Sequence, residues 1–208
     1  MNMKIELLLK DYLSGCSNCY GIVTDTAAVV IDPGTFNLDI VNFLKQNSDK
    51  ARLILITHAH YDHIGGAKRL RDETGVKIAI GKNDEFALSD ASFNLSAVFG
   101  TPIPCFNADY TIEDEEEFTV GDITVKAFET PGHTRGGMCY SVDDCLFSGD
   151  MLFYETVGRV DLPGGNAVDM KQSLDRIMWL FDDSVKVYPG HGEATTIGHE
   201  RKNNIYLR

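Results

Sequence analysis

Nowhere in this sequence do roughly 18 to 20 apolar residues follow one another, as a membrane-spanning helix requires. The one apolar stretch near the start, Ile5 to Leu9, is short and interrupted by Glu6. Neither a secretory signal nor a membrane anchor is therefore expected, and the expected compartment is the cytoplasm. Cysteine is sparse: Cys16, Cys19, Cys105, Cys139 and Cys145 are odd in number and scattered, which excludes the paired framework of a small secreted disulfide scaffold. Basic residues are outnumbered, 19 against 31 acidic, for a net charge of -12, and they gather into no dense block. Such a field repels phosphate backbones, so no nucleic-acid partner is expected, although divalent ions can make one cleft locally positive. Flexible linkers and low-complexity segments are missing too. Nothing specifies an oligomeric state.

What is present suits one sizeable domain over residues 1–208, with 43% hydrophobic and 24% charged residues. A core of that size needs no structural metal to hold it together. Ala27 to Asp32 and Arg52 to Thr57 are apolar runs of strand length, and Pro33-Gly34 ends the first with a turn. Asn37 to Gln46 carries apolar residues at helical spacing, and His63 to Thr74 is read as a second helix before strand-like Val76 to Ile80. The second half repeats this grammar. Glu117 to Val120 and Ile123 to Phe128 flank a Gly121-Asp122 hairpin turn, Gly137 to Val142 and Cys145 to Ser148 read as strands, and Asn166 to Phe181 reads as a long amphipathic helix. Val185 to Tyr188 is a last short strand before a threonine-capped helix within Thr195 to Asn204. Strands and helices alternating in two similar halves predict an α/β fold with helices outside paired sheets.

The chemistry concentrates in H-A-H-Y-D-H, which places His58, His60, Asp62 and His63 directly after a strand-like run. Packing does not call for four such groups in six residues. Single candidates follow beside glycine-bearing turns: His133 in T-P-G-H-T, Asp150 in F-S-G-D and His191 in Y-P-G-H-G. Histidine with aspartate, rather than cysteine, suits a functional metal site over a closed structural one. If the chain stays extended to His60, His58 and His60 point to one side, and a bend at Tyr61 turns Asp62 and His63 back toward them.

This ligand set and its order resemble the metallo-beta-lactamase fold superfamily along nearly the whole chain, with Asp32 in I-D-P-G and Asn18-Cys19-Tyr20 falling at its strand-end motifs. G-R-V-D-L-P-G-G from Gly158 and P-G-H-G-E-A-T-T-I-G from Pro189 resemble the small glyoxalase II-like hydrolases. The resemblance implies a four-layer αββα sandwich. It also implies two divalent ions, zinc first, with iron or manganese accepting the same donors. His58, His60 and His133 would hold one ion, Asp62, His63 and His191 the other, and Asp150 would bridge them. The expected activity is metal-dependent hydrolysis of a small thioester, with Asp62 and Asp150 as the catalytic carboxylates. Larger glyoxalase II enzymes carry a further C-terminal helical region with basic groups for glutathione, whereas this sequence reaches Arg208 soon after T-T-I-G-H-E-R, which leaves other thiol carriers open.

Persulfide dioxygenases, which resemble the same scaffold and use a single iron, are the second reading, and a non-catalytic metal-binding module is the third. Lactam hydrolysis fits less well, because beta-lactamases of this fold usually replace the aspartate at the position of Asp150. His199, on a helix surface, stays outside the metal set. Cys16 and Cys19, spaced C-x-x-C with no second pair, read as packing residues, and E-D-E-E-E from Glu113 reads as a solvated turn. Two pairs of readings remain open. Arg159 either pairs with Asp161 or meets a substrate carboxylate, and Asp90 to Ala108, with Phe93, Phe99 and Phe106, either walls the site or caps the core.

Overall fold

The computed structural model describes residues 3–11, 15–99 and 102–208. Two six-stranded sheets are stacked with helices on both outer faces, the αββα arrangement expected. The first sheet runs in the order β1 (Lys4–Leu9), β2 (Cys19–Val23), β3 (Ala27–Ile31), β4 (Ala51–Ile56), β5 (Lys77–Gly81) and β6 (Tyr110–Ile112). Its first three strands are antiparallel and its later pairings parallel. In the second sheet β7 (Glu117–Val120), β8 (Ile123–Glu129), β9 (Met138–Val142) and β10 (Cys145–Gly149) form an antiparallel meander, while β11 (Leu152–Phe153) and β12 (Thr156–Val157) pair apart from it; β13 (Lys186–Pro189) joins β10 in parallel and β14 (Thr195–Thr196) completes the edge.

Three apolar layers hold these sheets. Ile22, Val29, Ile31, Leu53 and Leu55 from one sheet meet Val125, Ala127, Tyr140 and Phe147 from the other. The alternate residues Ala28, Val30, Ile54, Ile56 and Ile78 pack under helices Leu38–Gln46 and Ala67–Thr74. Helix Ala167–Leu180 covers the opposite face with Met170, Leu174 and Ile177. β3 and β4 are thus buried on both faces, which is why they read as unbroken apolar runs. Truncating a fully buried side chain such as Ile54 costs about 2–5 kcal/mol.

The expected strands, hairpin and capped helices form within one or two residues of their boundaries, with Asn37, Asn166 and Thr196 as the N-caps. One helix differs. His63 to Thr74 is two helices, Tyr61–Ile64 and Ala67–Thr74, because Gly65 and Gly66 lie directly on the loop after β3. A Cβ on Gly65 would sit 2.4 Å from the Gly34 carbonyl oxygen, and one on Gly66 would sit 2.3 Å from that of Thr35. Ile5 to Leu9 also forms β1, a half-buried edge strand. Of the segment from Asp90 to Ala108, residues 100 and 101 lie outside the described residues; in the rest Phe106 is buried in the core, as a cap would be, whereas Phe99 is 54% exposed against Tyr61. No helix among the described residues is long and apolar enough to cross a membrane.

Candidate metal centre

The sheets place every expected donor at one edge, just beyond the C-terminal ends of strands, where open α/β sheets present their ligand sites. β4 runs into His58 and His60, and the short helix Tyr61–Ile64 supplies Asp62 and His63. The turn between β8 and β9 carries His133, Asp150 follows β10, and His191 follows β13. Donor atoms fall into three overlapping groups: His58, His60 and His133; His58, His63 and Asp150; Asp62, His63 and His191. Within each group the atoms lie within 4.8 Å of one another.

Hydrogen bonding on the far side of each ring determines which nitrogen is bare. Thr57 Oγ1 donates to Asp32 Oδ2 (2.6 Å), leaving its lone pairs to accept from His58 Nδ1 (3.2 Å). His133 Nδ1 donates to the Arg159 carbonyl at 2.7 Å, and His63 Nδ1 donates to Asp32 Oδ2 at 2.8 Å. The Nε2 atoms of His58 and His133 therefore face inward as lone pairs, and that of His63 points inward toward Asp150. His60 Nδ1 lies 3.1 Å from His58 Nε2 and 2.9 Å from His133 Nε2. Across the cluster His191 Nε2 is 3.1 Å from Asp62 Oδ2, and Asp150 reaches His63 Nε2 at 3.3 Å and His133 Nε2 at 3.4 Å.

Charge and burial reinforce this arrangement. Burial, aided by the neighbouring rings, holds His58 well below the usual histidine range and His60 down to about 3, so both are neutral donors. Burial also pulls His63 down, but the charges of Asp150 and Asp32 outweigh it and raise that ring, so a cation entering at its Nε2 would displace a proton. Asp150 is largely buried, with 11% of its side chain exposed, and burial works against its charge, yet His63, His133 and His191 hold its carboxyl well below the carboxylate range. His191 is raised: burial opposes it, but Asp62 and Asp150 prevail.

The side chains fit divalent cations. His63 Nε2 and Asp150 Oδ1 are buried without a completed hydrogen bond although they face each other, as donors converging on a common point do. Imidazole and carboxylate together suit zinc, iron or manganese. His58 and His63 are shut inside, whereas Asp62 and His191 side chains are 18% and 32% exposed, so the cluster opens to solvent on their side.

Arg159 lies beside the cluster, but its guanidinium grips Asp161 through two bonds of 2.7 and 2.8 Å; its carbonyl is what meets His133. His199 stands apart, bonded to Glu155. Cys19 is buried in the core and Cys16 is half-buried; neither forms a disulfide. Glu113 to Glu116 form the turn expected, in which Asp114 and Glu115 bind Arg176.

Several positioning groups went unread in the sequence. Asp32, with φ at 51°, ends β3 and accepts from the Thr57 amide as well as from His63. Asn18 Nδ2 and the Tyr20 hydroxyl both donate to the Pro189 carbonyl, fixing the turn that carries His191. Asp84, in G-K-N-D, accepts from the amides of Ala59 and Gly136 and so ties the chain between His58 and His60 to that beyond His133. Asp32 stood out in the sequence as part of the I-D-P-G strand end, though not for its bond to His63; Asp84 gave no signal. Asp32→Ala is expected to lower metal affinity about 10–100-fold. It also leaves the buried Thr57 amide unpaired, at a cost of about 1–3 kcal/mol. Metal titration and thermal melting measure the two effects, and an unchanged affinity would remove Asp32 from this role.

An αββα sandwich with a histidine and aspartate cluster at its strand ends defines a class of metal-dependent proteins. The chain belongs to the metallo-beta-lactamase superfamily, whose model matches residues 15–191. It is 32% identical to the probable metallo-hydrolase YqgX of Bacillus subtilis, over 92% of each chain. It is also 32% identical to the probable polyketide biosynthesis zinc-dependent hydrolase BaeB of Bacillus velezensis, over 96% of this chain and 86% of that one. Among solved structures, the B3 metallo-beta-lactamase BLEG-1 superposes with a TM-score of 0.86 at 34% identity, covering 99% of both chains. A di-iron-bound form of TTHA1623 superposes with a TM-score of 0.79 at 30% identity, covering 92% of this chain and 95% of the other.

Proposed function

We propose that this protein is a dinuclear metal-dependent hydrolase that cleaves a small thioester. The observation that carries the reading is the convergence of seven donors in overlapping sets whose atoms lie within 4.8 Å of one another. His58, His60 and His133 would hold one ion, Asp62, His63 and His191 the second, with Asp150 between them. Relatives named for zinc-dependent hydrolysis and for a di-iron form support this donor chemistry and leave zinc and iron as the leading ions. When bound, such ions polarise a carbonyl and lower the pKa of water from 15.7 toward about 7.

The chain's own groups supply the rest. Asp62 stands on the solvent side, and His191 holds its carboxyl below the usual range, so it stays ionised to orient the attacking water and take its proton. Water adds its oxygen to the acyl carbon, the carbon–sulfur bond breaks, and sulfur leaves with the bonding pair. A thiolate, with a conjugate acid near pKa 8.5, departs without a dedicated proton donor. That economy favours thioesters in a cluster whose inner imidazoles are turned toward metal. Thioester preference itself rests on the glyoxalase II-like segments at Gly158 and Pro189.

The likeness to BLEG-1 supports a second reading, β-lactam hydrolysis, which also requires attack at a carbonyl. A panel of thioesters, esters and a β-lactam, assayed after zinc, iron or manganese reconstitution, separates the two. Thioesters are expected to turn over fastest with two metals per chain. Faster lactam cleavage would overturn the substrate assignment. One iron per chain with oxygen consumption on a persulfide would overturn hydrolysis.

A further inference from the structure

Seven arginines lie between Arg52 and Arg201, and all but one have their guanidinium engaged by an oxygen. Arg52 and Arg201 bind backbone carbonyls, and Arg69, Arg71, Arg159 and Arg176 bind carboxylates. Of these seven, Arg135 is the exception. It is exposed, two positions beyond His133, in a protein whose net charge is -12 and where acidic partners abound. Its guanidinium instead sits 5.1 Å over the ring of Phe93.

The surroundings hold that side chain beside one of the metal donors, His60. His60, Phe93, Thr134, Arg135, Pro163 and Gly164 line one narrow recess. A Cβ on Gly164 would lie 3.4 Å from Arg135 Cγ, so the turn at residues 163–164 runs against the aliphatic stem. Asp84 also borders the recess, but its two oxygens accept from Gly136 and Ala59 amides and reach no cation. A stem held between a ring and a turn leaves the guanidinium with less entropy to lose on binding. Its five donors match a planar carboxylate or a phosphate.

We infer that Arg135, stacked on Phe93 beside His60, anchors an anionic group of the substrate, so that the substrate class is a thioester bearing a carboxylate or phosphate away from the scissile bond. This rests on the thioester reading above for what lies at the cluster. The anchor is Arg135 rather than Arg159, whose charge Asp161 already neutralises. An anion there is held beside His60 without adding charge among the metal donors.

Two matched pairs of probes test it: acyl thioesters of 3-mercaptopropionate and of its amide, and of phosphopantetheine and pantetheine. Thioether analogues of all four, in which the acyl carbonyl is a methylene, report binding by calorimetry independently of turnover. In the metal-loaded wild type, the charged member of at least one pair is expected to bind about tenfold more tightly. The pair that shows the preference identifies carboxylate or phosphate. Arg135→Ala is expected to erase the preference, and Arg135→Lys to keep part of it. In turnover the loss is expected in KM for the charged thioester, with kcat and the neutral thioester unchanged. Equal wild-type affinity within both pairs, or an equal loss on charged and neutral members in Arg135→Ala, would overturn the anchor. Selective binding with no thioester cleaved would leave the anchor standing and defeat the thioester reading instead.

Discussion

Asp150→Ala is expected to strip metal from the protein and lower kcat/KM by more than the roughly 10–100-fold that follows loss of a group outside the ligand set. Asp150 is the carboxylate common to both halves of the cluster: its oxygens lie 3.3 Å from His63 Nε2, 3.4 Å from His133 Nε2 and 3.8 Å from His191 Nε2. No other side chain takes that place. The apolar layers do not include it, so the variant is expected to unfold cooperatively, and His63 retains Asp32 as its partner. Metal content by mass spectrometry, a thermal melt and kcat/KM together check this. Two metals per chain with unchanged turnover would reject the bridging position.

Gly190→Ala is expected to do nearly as much damage without touching a donor. A Cβ at that position would stand 2.3 Å from Asp150 Oδ1 and 2.6 Å from His63 Cε1, wedged between two groups that must face each other. The backbone has little room to retreat, because the Gly190 amide donates to the Gly149 carbonyl and its carbonyl accepts from the Asn18 amide. The added methyl drives His63 and Asp150 apart by tenths of an ångström, enough to spoil coordination geometry. A loss of one metal equivalent is expected, with His58, His60 and His133 still able to hold the other. Full occupancy by two ions, measured after identical loading, would show that the turn yields more than its hydrogen bonds suggest.

How legible these features were follows from how local their causes are. β3 and β4 stood out because strands buried on both faces are apolar at every position, and the helix starts stood out because Asn37, Asn166 and Thr196 cap them through their own side chains. The seven candidate donors were conspicuous because histidines and aspartates gathered beside glycine turns have no packing role there. Hidden from the sequence was whatever depends on another segment's approach. The break at Gly65 and Gly66 exists because residues 34–35 pass within van der Waals distance, and the orienting role of Asp32 exists because His63, 31 residues later, donates to it. Arg135 drew no notice in the sequence for the same reason: the absence of an acidic partner is a fact of three dimensions.

Anomalous diffraction from crystals of the metal-loaded protein tests the central claim most directly. Two peaks about 3.5–4 Å apart are expected. One should lie among His58, His60 and His133, the other among Asp62, His63 and His191, with Asp150 touching both. A single peak, or ions held elsewhere while these seven side chains keep their present contacts, would contradict it.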